Sequence, residues 1–340
     1  MNDPVFLHRD EVQILVNLFP DTIKITYPFY DFTICTARTI KDTVEINLTC
    51  KPNDFRLCQT TYGKHHAEMP GYDDLITTLF SSGILTYTNQ YELDSLMDQV
   101  HKWQMPRKAW FTADTNLFYH GFFTNYQHLR SDEIILIDTI GKELDNAKEK
   151  YLPDHIGEAI RSCITRQQEL YTELIARRTK KSRQARFIAL PDHQWLKQQG
   201  IQEFNGIRQP LLDNDENDQI IVETAAALQK ERYPELYLLT ADQGVAERCN
   251  QQHVNHLLLK VPQFIDTLQA TAQQFNNLIF NLARIFGVIK MNNTILYGDF
   301  QQHEQRDPTG IMALSQHDKT QIELKRHITI CRNIQKLGIK

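Results

Sequence analysis

The chain has 340 residues, 41% of them hydrophobic and 23% charged, with a net charge of −5. This balance excludes a disordered or fibrous polymer, and no apolar run approaches the ~20 residues that a membrane-spanning helix needs. The six cysteines, Cys35, Cys50, Cys58, Cys163, Cys249 and Cys331, are scattered without a CxxC pair, which speaks against a disulfide framework or a structural zinc site. The first residues, MNDPVFLHRDE, lack a basic-then-apolar signal pattern, so the expectation is a cytoplasmic protein with no membrane partner.

In chain order, residues 1–105 read as an N-terminal α+β domain. TIKITYPFYDFTICTAR alternates and is rich in aromatic and β-branched residues, and DTVEINLTCK alternates at Val44, Ile46 and Leu48. YDDLITTLF and YELDSLMDQVHKW carry helical patterns, and Lys102 to Lys108, with Pro106, reads as a linker. From residue 109 the pattern becomes strand–helix alternation. AWFTA, IILIDT, LYLLTA and HLLLKV are short apolar strands. GKELDNAKEKY, residues 155–185, QIIVETAAALQKER and QFIDTLQATAQQF read as helical stretches. Such alternation implies an α/β fold, a parallel sheet flanked by helices, whose sites form at the carboxyl ends of the strands. Residues 273–340 read as a small C-terminal extension: a helix, a hairpin turning at Asn292-Asn293, and a last amphipathic helix, TQIELKRHITICRNIQKL. That last helix leaves a homodimer open.

Charge is uneven along the chain. LIARRTKKSRQAR, residues 174–186, is the densest basic run, and DNDEND, residues 213–218, the densest acidic one. Arg177, Arg178, Lys180, Lys181, Arg183 and Arg186 are candidates for holding a nucleic-acid backbone, against the plainer reading of a solvated helix face. His253-x-x-His256 has metal-ligand spacing but no third ligand nearby.

Four acids stand at strand ends or helix starts. Asp114 follows AWFTA, Glu143 sits in GKELDNAK, Asp218 opens NDQIIVETAAAL, and Asp242 ends LYLLTAD. Each has a plain alternative as a helix cap or dipole acid, and Asp213, Asp215 and Glu216 compete with Asp218. If the strands are parallel, the four carboxylates converge on one edge. They would repel one another and raise their own pKa values unless a hard divalent cation compensates, and Mg²⁺ or Mn²⁺ suits oxygen ligands.

FTADTNLFYHGF, IDTIGKELDNAK, NDQIIVETAAAL and LLTADQGVAERC resemble the successive motifs of the PIN-domain family, over roughly residues 107–270. The resemblance implies a Mg²⁺- or Mn²⁺-dependent nuclease domain, bounded here at 107–272, acting on RNA. It also implies that Asp114, Glu143, Asp218 and Asp242 are both the catalytic and the metal-binding residues, with Asn116 and Thr240 supporting them. Water is the nucleophile in this class, and the products carry 5′-phosphate and 3′-hydroxyl ends. The segment between Glu143 and Asp218 is longer than in compact family members, and the flanking regions match nothing in the motif set. Two alternatives stay open: a non-catalytic RNA- or protein-binding scaffold, and a DNA-directed nuclease of defence or repair. Residues 1–105 are a candidate platform for a regulatory partner.

Overall fold

The computed structural model describes residues 3–19, 22–30, 32–102, 108–173, 177–209, 214–232, 235–300 and 310–338. Most of the expected linker, the boundary at 105–107, residues 174–176 of the basic run and Asp213 lie outside them.

The chain divides into two compact units. Met1–Ile84, Tyr151–Arg183 and Ile265–Lys340 form one, and Leu85–Lys150 with Gln184–Phe264 form the other. Strands β1 (Val5–Leu7), β2 (Ile23–Thr26), β3 (Thr33–Ile40) and β4 (Thr43–Leu48) belong to the first unit. The second contains β5 (Ala109–Ala113), β6 (Ile135–Ile137), β7 (Gln202–Phe204), β8 (Glu235–Thr240) and β9 (Asn255–Leu258). The chain then returns to the first unit with β10 (Thr267–Thr271), β11 (Val288–Met291), β12 (Thr294–Tyr297) and β13 (Ile311–Ser315).

In the first unit, all eight strands form one antiparallel sheet in the order β1-β13-β12-β11-β2-β3-β4-β10. The regions read from sequence as separate N- and C-terminal parts therefore share a single sheet. Helix Ala272–Phe286 packs against β4, β10, β11, β12 and β13. It buries Phe275, Leu278, Ile279, Leu282 and Phe286, which recur at helical spacing. Its start is fixed by a capping box, in which Gln274 N–H donates to Thr271 Oγ1 at 3.2 Å and Thr271 N–H donates to Gln274 Oε1 at 2.9 Å. The hairpin turns where expected: Met291 pairs with Thr294, and Asn292 has a φ of 50°.

Two expected helices differ. QFIDTLQATAQQF is not helical from its start, because residues 267–271 form β10 and pair antiparallel with Thr43–Asn47. Leu268 and Ala270 alternate with Thr267, Gln269 and Thr271, and a partner strand more than two hundred residues away selects that period over the helical one. The long helix expected over 155–185 is broken into Asp154–Cys163, Gln168–Glu173 and Lys180–Gln184, with Gln167 and Arg177 at positive φ between the pieces.

The second unit is built on a parallel sheet, β5-β8-β9, as the alternating pattern requires. Ala113 lies opposite Leu239, and Thr240 opposite Leu258. β6 and β7 pair in parallel, and a parallel bridge from Phe111 to Ile134 continues the sheet toward β6. Helices Asp138–Lys148, Asn214–Arg232 and Gln243–Gln251 belong to this unit. Its interior contains Phe111, Leu144, Ile220, Ile221, Leu236, Leu238 and Leu239. Helix Gln90–His101, read from sequence as part of the N-terminal domain, belongs here too. Tyr126 Oη donates to Asp94 at 2.8 Å, and Asn89 Nδ2 donates to the Leu258 carbonyl at 2.9 Å. Residues 151–183, read as lying inside the expected 107–272 domain, group instead with the antiparallel sheet. Among the described residues no helix is long and apolar enough to cross a membrane.

Candidate active site

β5 and β8 run parallel and in register, so their carboxyl ends emerge side by side. Asp114 extends the β5 ladder by one bond, its N–H donating to the Leu239 carbonyl at 3.0 Å. The chain then turns into helix Thr115–Tyr119, and Asp114 Oδ1 caps it by accepting from Leu117 N–H at 3.2 Å. Asp242 does the same work two residues after β8, its Oδ1 accepting from Gly244 N–H at 2.6 Å at the start of helix Gln243–Gln251. The plain capping roles are therefore real. They also fix one carboxylate oxygen of each acid and so set where the other one lies.

The two strand ends are tied by side chains. Thr240 Oγ1 donates to Asp114 Oδ2 and itself accepts from Asp242 N–H at 2.9 Å. Asn116 Nδ2 donates to Asp242 Oδ2 at 3.4 Å. Glu143, buried on helix Asp138–Lys148, accepts from Thr115 Oγ1 at 2.9 Å, one residue beyond Asp114. Asp218, on helix Asn214–Arg232, is half-buried and accepts from Arg248 Nη1 at 3.4 Å.

Asp114 is 1% exposed. Burial pushes its carboxyl up to about 7, against the hydrogen bonds from Thr240 and Leu117, and the charges of Asp218 and Asp242 push it further the same way. Those last two effects place Asp218 and Asp242 near enough to act on Asp114. Glu143 acts on the neighbouring Tyr119, whose hydroxyl is raised first by burial and then by that carboxylate. Cys249 lies near as well, its thiol pushed up to about 12 by burial and by Asp114.

Residues 111–257 match the family model described as PIN domain. This segment is a PIN domain. Neither the curated proteins nor the solved structures gave a match to the chain. The regions flanking the PIN domain are unassigned, and PIN domains are typically metal-dependent nucleases.

The donor set fits a hard divalent ion in its chemistry: all four acids offer carboxylate oxygens, and Asp114 is a buried carboxylate under repulsion from two others. Among the described residues, however, no group of three or more His, Cys, Asp or Glu is drawn together closely enough to hold an ion. The oxygens are instead engaged by Thr240, Leu117, Asn116, Gly244, Thr115 and Arg248.

Two residues that engage these acids were missed in the sequence, as was one further buried acid of the same unit. Thr115 holds Glu143 and could have been noticed as the residue following Asp114. Arg248 reaches Asp218 from the next helix, and no local motif marks it. Asp192 is another buried acid of this unit besides Asp114 and Glu143, accepting from Thr124 N–H at 2.7 Å and Phe123 N–H at 3.2 Å, and burial pushes it to about 7.

Of the basic run, residues 177–183 belong to the antiparallel unit and Arg186 to the second unit. Arg177 pairs with Asp154 at 2.9 Å and Glu158 at 3.1 Å. Arg178 pairs with Asp299 at 2.5 Å, and Lys180 with Asp74 at 3.2 Å, both acids being buried. Arg183 is buried and donates to the carbonyls of Ile285 at 2.9 Å and Arg178 at 2.8 Å. Arg178, Lys180 and Arg183 brace the antiparallel unit, Arg177 pairs with exposed acids at the surface, and Lys181 and Arg186 are half-buried. A phosphate footprint needs cations turned to solvent, which the three bracing cations are not.

Proposed function

We propose that the PIN domain is a Mg²⁺- or Mn²⁺-dependent endoribonuclease that cuts phosphodiesters to leave 5′-phosphate and 3′-hydroxyl ends. The observation that carries this reading is Asp114: a buried acid at a strand end, tied through Thr240 to the end of β8 and pushed to about 7 by burial and by the charges of Asp218 and Asp242. Such an arrangement weakens the protein unless a cation completes it. Asp114 and Asp242 would hold the ion, with Glu143 and Asp218 completing the acidic edge. When bound, the ion would neutralise charge on the scissile phosphate and departing oxygen and make water a competent nucleophile. Thr240 and Asn116 orient the two strand-end carboxylates, and Thr115 orients Glu143. Arg248 offsets the charge of Asp218 until the edge is occupied.

The test is digestion of end-labelled single-stranded RNA, hairpin RNA and single-stranded DNA, with Mg²⁺, with Mn²⁺ and with chelator. RNA cleavage that chelator stops and Asp114→Asn abolishes is the expected result. Full activity of Asp114→Asn at saturating Mg²⁺ would remove the assignment, and preference for DNA would replace the substrate. A non-catalytic scaffold is the second reading, and the engagement of the carboxylates by Arg248, Thr115 and Asn116 favours it. It predicts RNA or protein binding with no cleavage under any metal.

A further inference from the structure

Within the antiparallel unit, a cleft of about 930 Å³ opens over the paired strands β2 and β11. Its cations are Lys24, Arg166 and Lys290, and its half-buried rings are Phe19, Phe29 and Phe32. Among the described residues that line it, none is acidic; Asp21 and Asp31 lie outside the described residues. The chemistry follows from strand alternation. Ile23, Ile25 and Met291 are buried on one face of the sheet, which turns Lys24, Thr26 and Lys290 to the other. Lys290 lies opposite Thr26, and Lys24 is two residues further along β2, so the two lysines stand about 8 Å apart across neighbouring strands. The hairpin end is held against β2, because Asn292 Oδ1 accepts from Lys24 N–H at 2.8 Å.

We propose that this cleft binds single-stranded RNA, with Lys24 and Lys290 on its phosphates and bases stacked on Phe29 and Phe32. Sequence-independent strand binding needs a row of cations with aromatic surface beside it, and the cleft supplies both on a pleated face. Phe29 and Phe32 are each braced edge-on, by Tyr27 at 5.3 Å and by Phe55 at 5.0 Å between centroids, so their positions are set before a base arrives. The choice of RNA over another strand rests on the reading of the PIN domain as a ribonuclease; the cleft itself does not depend on it.

Binding of a labelled twelve-nucleotide uridine RNA to the full chain in chelator, followed by fluorescence anisotropy, tests this. Lys24→Glu with Lys290→Glu, two outward-facing positions, weakens binding at least about tenfold and lowers the salt slope by about 1.4, at ~0.7 per phosphate contact. Phe29→Ala weakens it by about fivefold or more, and Phe29→Tyr restores it. The proposal is overturned by unchanged affinity in the lysine pair, by uridine monophosphate binding as tightly as the oligomer, or by twelve-residue polyglutamate doing so. Metal-dependent cleavage with no effect of the lysine pair on affinity removes the cleft alone. A lysine effect on binding in a chain that cleaves nothing supports the cleft and removes the nuclease reading.

Discussion

Two charged regions looked alike in the sequence and are handled in opposite ways. The acids at the ends of β5 and β8 are left beside one another, with Asp114 buried and pushed to about 7. The cations of residues 177–183 are matched to Asp154, Asp299, Asp74 and backbone carbonyls. Unlike the acids, the bases are neutralised within the fold. Where a protein leaves like charges together, the arrangement costs stability and points to a ligand; where it pairs opposite charges, the region is a brace.

The comparison predicts which substitution damages what. If the proposed metal role holds, Asp114→Asn should lower cleavage by roughly a thousandfold, since a catalytic ion provides several kcal/mol of charge stabilisation, while the chain keeps its melting temperature or gains at neutral pH. Arg178→Ala should do the reverse. It strands the buried Asp299 and costs about 3–5 kcal/mol in urea unfolding of the antiparallel unit, with little change in cleavage per folded molecule. Arg177→Ala, with exposed partners, should cost less than about 1 kcal/mol, which separates brace from surface pair within one run.

Smaller effects sharpen the acidic side. Thr240→Val removes the hydroxyl bonded to Asp114 and should lower activity about 10–100-fold at fixed Mg²⁺, with partial recovery at high metal. Because Asp114 sits at about 7 in the absence of metal, a proton competes with the cation below that pH. At subsaturating metal the rate should fall roughly tenfold per pH unit below 7, and more Mg²⁺ should move the limb to lower pH. Asp192 gives the control without repulsive acids. Its folded value, about 7, lies above its ordinary value of 3.8. The folded state therefore binds the extra proton, and the stabilisation is complete below about 4 and is lost as pH rises toward 7. Asp192→Asn should flatten unfolding free energy across that window while leaving the metal dependence of cleavage unchanged.

Asp114 and Asp242 were legible because each sits at a strand–helix junction that announces itself locally, in FTADTN and LLTAD; Glu143 and Asp218, read as helix starts, lie inside helices that begin earlier, at Asp138 and Asn214. The parallel order of β5 and β8 then follows from alternation alone. What was not legible depends on partners far away. β10 takes its period from Val44 and Ile46, and the basic run is decided by Asp74 and Asp299, about a hundred residues from the cations they hold. Arg248 reaches Asp218 across two helices with no motif of its own. The interleaving of the two units was invisible for the same reason, since no local pattern says that β1 belongs beside β13.

That pairing has a consequence for how the chain is made. Among the described strands Val5–Leu7 pairs with Ile311–Ser315, so it waits for a strand synthesised about 300 residues later. At about 5–20 residues per second the wait is roughly 15–60 s. During that interval Leu85–Phe264 has already been synthesised, and the acidic edge can close before the eight-stranded sheet has its middle.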